Sequence, residues 1–127
     1  MGRHVAVALI IAVLASLSLS AEPLGVALTL TSANKCQGQS PEIRLTHVPA
    51  GTAAYKVQMT DEQVPSFRHW NETLPAAGPV IPAGASKAYY GPCPPSGKHT
   101  YRVRVAAVDS TGKVLAQGDY AAEADSR

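Results

Sequence analysis

At 127 residues the chain has room for one domain, and 11 basic against 9 acidic residues leave it almost uncharged. So balanced a charge gives no electrostatic footprint for nucleic acid or for an anionic membrane surface. Ten prolines argue against long helices.

The chain opens on Arg3 and His4, followed by an unbroken apolar run from Val5 to Leu14 and then by Ser16, Ser18 and Ser20. A basic start, a short apolar stretch and small residues at its end describe a secretory signal over residues 1–20, cleaved after Ser20. A membrane span needs about 20 apolar residues, so an uncleaved anchor is the weaker reading. No cysteine follows the run closely, which argues against a lipid anchor. Export makes the protein secreted or periplasmic, with one domain over residues 21–127 and no transmembrane anchor in its mature form. Without Arg3 the mature chain keeps 10 basic and 9 acidic residues.

Strand periodicity begins at once. Leu24, Val26, Leu28 and Leu30 alternate with Gly25, Ala27 and Thr29. Ile43, Leu45 and His47 share one parity, with Arg44 and Thr46 on the other. Tyr55, Val57, Met59 and Asp61 share a face opposite Lys56, Gln58 and Thr60. Tyr101, Val103, Val105 and Ala107 repeat the pattern, with Arg102 and Arg104 on the solvated side. Each is the period of a half-buried antiparallel strand. Turn signals separate them: Pro49-Ala50-Gly51, Pro82-Ala83-Gly84, and Asp109 to Gly112, the last leading a hairpin into Lys113–Gln117. These features predict an all-β antiparallel sandwich or a closely related β fold.

Cys36 and Cys93 are an even pair in an exported chain, which favours a disulfide; two separately buried thiols are the alternative.

Polar residues on the apolar face of a strand cost free energy unless they are paired or reach a cleft. Asp61 ends one apolar face, and His99 begins another, two residues before Tyr101. His69, beside Trp70 in a predicted loop after Asp61, is a third candidate. The stiff segment Gly91-Pro92-Cys93-Pro94-Pro95 runs into His99 and leaves few backbone N–H groups, held in defined directions. Each residue alone reads more simply as a satisfied structural group. Together they predict a polar pocket of Asp61, His69, His99 and Tyr101, with backbone N–H groups near Gly91 and Cys93.

Three blocks carry a resemblance. Cys36 to Pro41 is similar to a C-x-G-x-x-S-P segment. Pro49-Ala50-Gly51-Thr52, then Asp61 to Pro65, then Phe67, His69 and Trp70, look like P-A-G-T, D-P-D-x-P and H-W. Gly91 to Pro95 and His99-Thr100-Tyr101 look like G-P-C-P-P and H-R-Y. In this order and spacing the chain resembles the phosphatidylethanolamine-binding protein family, which includes the Raf-kinase-inhibitor-like proteins of bacteria. The resemblance implies a β-sandwich with a small anion pocket, and carries Pro65 into the site beside Asp61, His69, Gly91, Cys93, His99 and Tyr101. Departures accompany it. Glu62 and Gln63 replace the first proline and second acid of D-P-D-x-P, and Leu45 replaces an aromatic. The stretch from Trp70 to Tyr89 is short, and no C-terminal helical extension is expected after Gly118.

The expected function is therefore non-enzymatic binding of a small phosphate-like anion or phospholipid headgroup. Some members act through a kinase or protease partner, so an inhibitor-like regulatory role is implied. No cofactor or metal is expected. Binding should strengthen as pH falls through the ordinary histidine range near ~6.5. A fibronectin-type or immunoglobulin-like interaction domain is the alternative, suggested by Thr100 to Gly112. A hydrolase lacks a recognisable nucleophile motif. A metal site of two histidines and an aspartate is chemically allowed but lacks close ligand spacing.

Overall fold

The computed structural model describes residues 22–127 and, before them, only positions 2, 10 and 11. The predicted leader over residues 1–20 otherwise lies outside the described residues. No helix among the described residues is long and apolar enough to cross a membrane.

Seven strands form two antiparallel sheets. The smaller sheet orders Gly25–Leu28 (β1), Ile43–Thr46 (β2) and Val80–Ile81 (β5) as β1-β2-β5. The larger uses Ala54–Asp61 (β3), Arg68–Pro75 (β4), His99–Val108 (β6) and Val114–Ala124 (β7), in the order β4-β3-β6-β7. One 3-10 turn at Ser32–Asn34 is the only helical element among the described residues. The chain is all-β and antiparallel, as its periodicity predicts.

The core lies between the sheets. On β3 the alternation is strict: Tyr55, Val57, Met59 and Asp61 are buried, while Lys56 and Gln58 are exposed. On β6 Tyr101, Val103, Val105 and Ala107 are buried on the same side. Ile43, Leu45 and Ile81 close the core from the smaller sheet. Each such aliphatic side chain contributes about 1.5–3 kcal/mol by leaving water. The sheets approach closely where β1 enters alongside β7. Leu24 N donates to Gln117 O at 3.1 Å, and a Cβ on Gly118 would lie 1.8 Å from Leu24 O. Only glycine fits that approach.

Several local expectations need correction. His69 and Trp70 stand in strand β4, where the sequence suggests a loop. The register explains why: Met59 pairs with Trp70 and Thr60 with Arg68, so His69 is an extra residue at a β-bulge. The bulge turns two consecutive residues inward, and both are buried. His47 does not extend the inner face of β2. That strand ends at Thr46, and His47 is exposed, with Nδ1 2.9 Å from Glu22 Oε2. The final strand runs to Ala124, well past Gln117. Arg102 is half-buried and bridges Glu62 and Asp119 at 2.7 and 2.6 Å, while Arg104 is exposed.

Candidate functional site

The end of the larger sheet where β3 finishes and β6 begins carries the site. Asp61 is the last residue of β3 and pairs in register with Tyr101 on β6. Two residues earlier on β6, His99 donates from Nδ1 to Asp61 Oδ2 at 2.6 Å. The backbone N–H groups of Gln63 and Val64 donate to Asp61 Oδ1 at 2.8 and 3.1 Å. Asp61 is thus an Asx-type turn-former as well as a histidine partner. Burial pushes its carboxyl up, but the His99 hydrogen bond, the two backbone N–H groups and the His99 charge outweigh it. The net result lies below the ordinary aspartate range, so Asp61 is ionised at neutral pH.

The bulge on β4 delivers His69 to the same place. Its Nδ1 donates to Tyr90 O at 2.8 Å, and Tyr90 N donates back to His69 O at 2.8 Å. Both imidazoles therefore spend Nδ1 on a protein acceptor, leaving Nε2 of each ring as the atom available to a ligand. The Tyr101 ring lies between them, edge-on to His69 at 5.1 Å and stacked with His99 at 6.4 Å. The Tyr101 hydroxyl is buried and makes no well-formed hydrogen bond, although the Asp61 carboxylate and the Cys93 N–H lie beside it. Its acidity is pushed down, to a pKa of about 12, first by burial and then by the Asp61 carboxylate. Tyr101 is accordingly a neutral donor at physiological pH.

The loop before β6 forms the remaining wall. It is pinned to the segment after the 3-10 turn by the Cys36–Cys93 disulfide, whose Cα atoms are 4.8 Å apart. Gly91 N donates to Cys36 O at 2.7 Å, and Cys36 N to Pro92 O at 3.0 Å. Tyr89 adds a hydrogen bond to Asn34 O at 2.6 Å and packs edge-on against Trp70.

These elements enclose a cavity of about 250 Å³ lined by Asp61, Val64, Phe67, His69, Tyr90, Cys93, Pro94, Pro95, His99 and Tyr101. Asp61, His69, Cys93, His99 and Tyr101 are thus brought together from segments distant in sequence. Pro65 and Gly91 are not. Pro65 is exposed outside the cavity. Gly91 does not offer its N–H to a ligand, because Cys36 O already accepts it. Its role is steric: a Cβ there would lie 1.9 Å from Asn34 O. Phe67 and Tyr90 are lining residues that parity reasoning missed. The spacing Phe67-x-His69 was the available signal, since residues two apart in extended chain point the same way. No cluster of three metal-ligating side chains occurs among the described residues.

A sequence model described as "Phosphatidylethanolamine-binding protein" matches residues 20–126. No curated protein sequence matches significantly. Among solved structures, the chain is similar to YbcL of E. coli, titled a new member of the mammalian PEBP family. That likeness has TM-score 0.63 at 18% identity and covers 84% of this chain and 99% of that one. It is also similar to CT736 of Chlamydia trachomatis, titled a phosphatidylethanolamine-binding protein homologue. There the TM-score is 0.63 at 20% identity, over 82% of this chain and 92% of that one. These superpositions establish the shared fold, and the sequence match covers nearly the whole β domain. The fibronectin-type and immunoglobulin-like alternative gives way to it. The chain, a binding protein by lineage, belongs to the phosphatidylethanolamine-binding protein family.

Proposed function

We propose that the cavity binds a small oxyanion, free phosphate or the phosphate of a lipid headgroup, and does not turn it over. The observation that carries this reading is the Tyr101 hydroxyl, buried beside the Asp61 carboxylate and the Cys93 N–H yet without a well-formed hydrogen bond. Such a group costs about 1–3 kcal/mol while unpaired, and an oxyanion accepting from it removes that cost. Two imidazoles stand on either side, each with Nε2 free to donate once protonated. His99 remains 18% exposed while Asp61 is only 5% exposed, so a ligand reaches the imidazole before the carboxylate. A non-catalytic role is part of this reading, and Cys93, held in a disulfide, offers no thiolate to a ligand. The leader-like residues 1–20 support action outside the cytoplasm. A regulatory role toward a kinase or protease belongs to the same reading, suggested by the family resemblance.

Calorimetric titration with inorganic phosphate and phosphoethanolamine, on wild type and His99→Ala, tests the proposal. The variant loses a charge-assisted hydrogen bond of roughly 1.5–3 kcal/mol, more than tenfold in affinity. Equal affinity in both proteins, or none in either, overturns it.

A further inference from the structure

We infer that the preferred occupant of this cavity is a monoanion carried on an aromatic group, not a bare phosphate or a zwitterionic headgroup. This rests on the oxyanion reading above and narrows it. Besides Tyr101, five of the ten lining residues are apolar or aromatic: Val64, Phe67, Tyr90, Pro94 and Pro95. Val64 and Phe67 are 42% and 44% exposed, which places two of the few exposed large apolar side chains of the β domain on one rim. Phe67 stands 4.6 Å from the His69 ring and 5.4 Å from Tyr90, so the rim is a tilted aromatic wall directly above a ligand-facing imidazole. An apolar ring attached to the acid group would cover that wall and bury it. Offset and edge-to-face contacts between rings are favourable at these separations.

The polar half of the lining argues the same way. No lysine or arginine lines the cavity among the described residues, so nothing permanently cationic is present to neutralise a dianion. The one acid, Asp61, already accepts from His99, Gln63 and Val64. The ammonium of an ethanolamine headgroup therefore finds no free carboxylate here. A cavity of about 250 Å³ also falls just below the ~300–1,000 Å³ of drug-sized sites, suiting a single ring with its acid group.

The test is a titration series on the wild-type protein at pH 5, where phosphate monoesters, with a second pKa near ~6, are monoanions, using inorganic phosphate, phosphoethanolamine, phosphocholine, phenyl phosphate, acetate and phenylacetate. Phenyl phosphate should bind about tenfold or more tighter than phosphate and both headgroups, and phenylacetate should exceed acetate similarly. In Phe67→Ala the ratio of phenyl phosphate to phosphate affinity should collapse toward one. Phosphoethanolamine or phosphocholine binding as tightly as phenyl phosphate overturns the inference while leaving the oxyanion site standing. An aryl advantage that survives Phe67→Ala also overturns it. If no probe binds, the oxyanion site and the inference fall together.

Discussion

His99 Nδ1 lies 2.6 Å from Asp61 Oδ2, joining residues 38 apart in sequence at the point where β3 hands the core to β6. The contact fixes the tautomer of His99 and the orientation of its ring, because a carboxylate accepts and Nδ1 must donate. One side chain thereby shapes both the fold and the site. Asp61 caps the turn after β3 with one oxygen and aims His99 with the other.

Asp61→Asn should therefore lose both stability and affinity. Replacing the carboxylate weakens hydrogen bonds to a charged group, each worth roughly 1.5–3 kcal/mol. The folded-state acidity of Asp61 is depressed, so its contribution is fully present above its unfolded pKa of about 3.9 and is lost as pH falls through the folded value. Urea unfolding at pH 7 should show a clear gap between wild type and variant. That gap should shrink toward pH 3. A gap that is equal at both pH values contradicts the assignment.

Tyr101→Phe should separate stability from binding. The lost hydroxyl makes no well-formed hydrogen bond, so at pH 7 the variant should be as stable as wild type or more stable by about 1 kcal/mol. Its phosphate affinity should nevertheless drop more than about tenfold. Alkali offers a second readout. The folded pKa of Tyr101 is raised to about 12 because burial penalises the phenolate, so the native state is progressively destabilised as pH climbs from the unfolded pKa near ~10 through 12. Phenylalanine removes that share of the alkaline loss; Tyr55 and Tyr89, also raised by burial, keep the remainder.

Breaking the Cys36–Cys93 bridge should reach the site as well as the fold. The bridge closes a span of 57 residues, and the loop-entropy account assigns about 4 kcal/mol to such a closure. Cys93 lines the cavity, and the same strap carries Tyr90, whose carbonyl holds His69. Cys36→Ala/Cys93→Ala should unfold at markedly lower urea and bind phosphate more weakly where it is still folded. Unchanged urea unfolding would show that the disulfide contributes nothing to the loop.

How much of this was legible in sequence divides along one physical line. β3 and β6 announce themselves, because each buries one strict parity with little interruption, and Asp61, His99 and Tyr101 follow from that parity. β4 is hidden, because the bulge at His69 puts His69 and Trp70 on one face and erases the period of two. The inward parity of β4 also includes Glu72, which accepts from Trp70 Nε1 at 2.9 Å and so sits in the wall as a polar residue. β5 has two residues, too short for any period. In β7, Tyr120 is exposed among small and charged neighbours, so its second half carries no apolar stripe. His69 was found by its place beside Trp70 after Asp61 and by the motif blocks, where periodicity could not supply it. Those blocks misled at Gly91, whose place in a G-P-C-P-P loop suggested a ligand-facing N–H.

Gly91 yields the last prediction, since its steric role differs in consequence from a donor role. A Cβ at this position would meet Asn34 O at 1.9 Å, Asn34 C at 2.9 Å and Lys35 Cα at 3.0 Å, all backbone atoms. Backbone cannot swing aside as a side chain would, so Gly91→Ala must push two chain segments apart. Overpacking of this kind costs about 1–3 kcal/mol or more. The displacement would also lengthen the 2.7 Å bond from Gly91 N to Cys36 O. It would disturb the neighbouring Tyr90 carbonyl that fixes His69. Gly91→Ala should therefore lose stability and phosphate affinity together, although it leaves every cavity-lining side chain in place. Gly97 is the control. It adopts φ 67° with nothing near its missing Cβ, so Gly97→Ala incurs only a backbone cost of about 1–2 kcal/mol. Similar urea unfolding and similar phosphate affinity for the two variants would show that the close approach at Asn34 does not hold the loop. A larger loss in Gly91→Ala on both measures would tie the shape of the site to one missing methyl group.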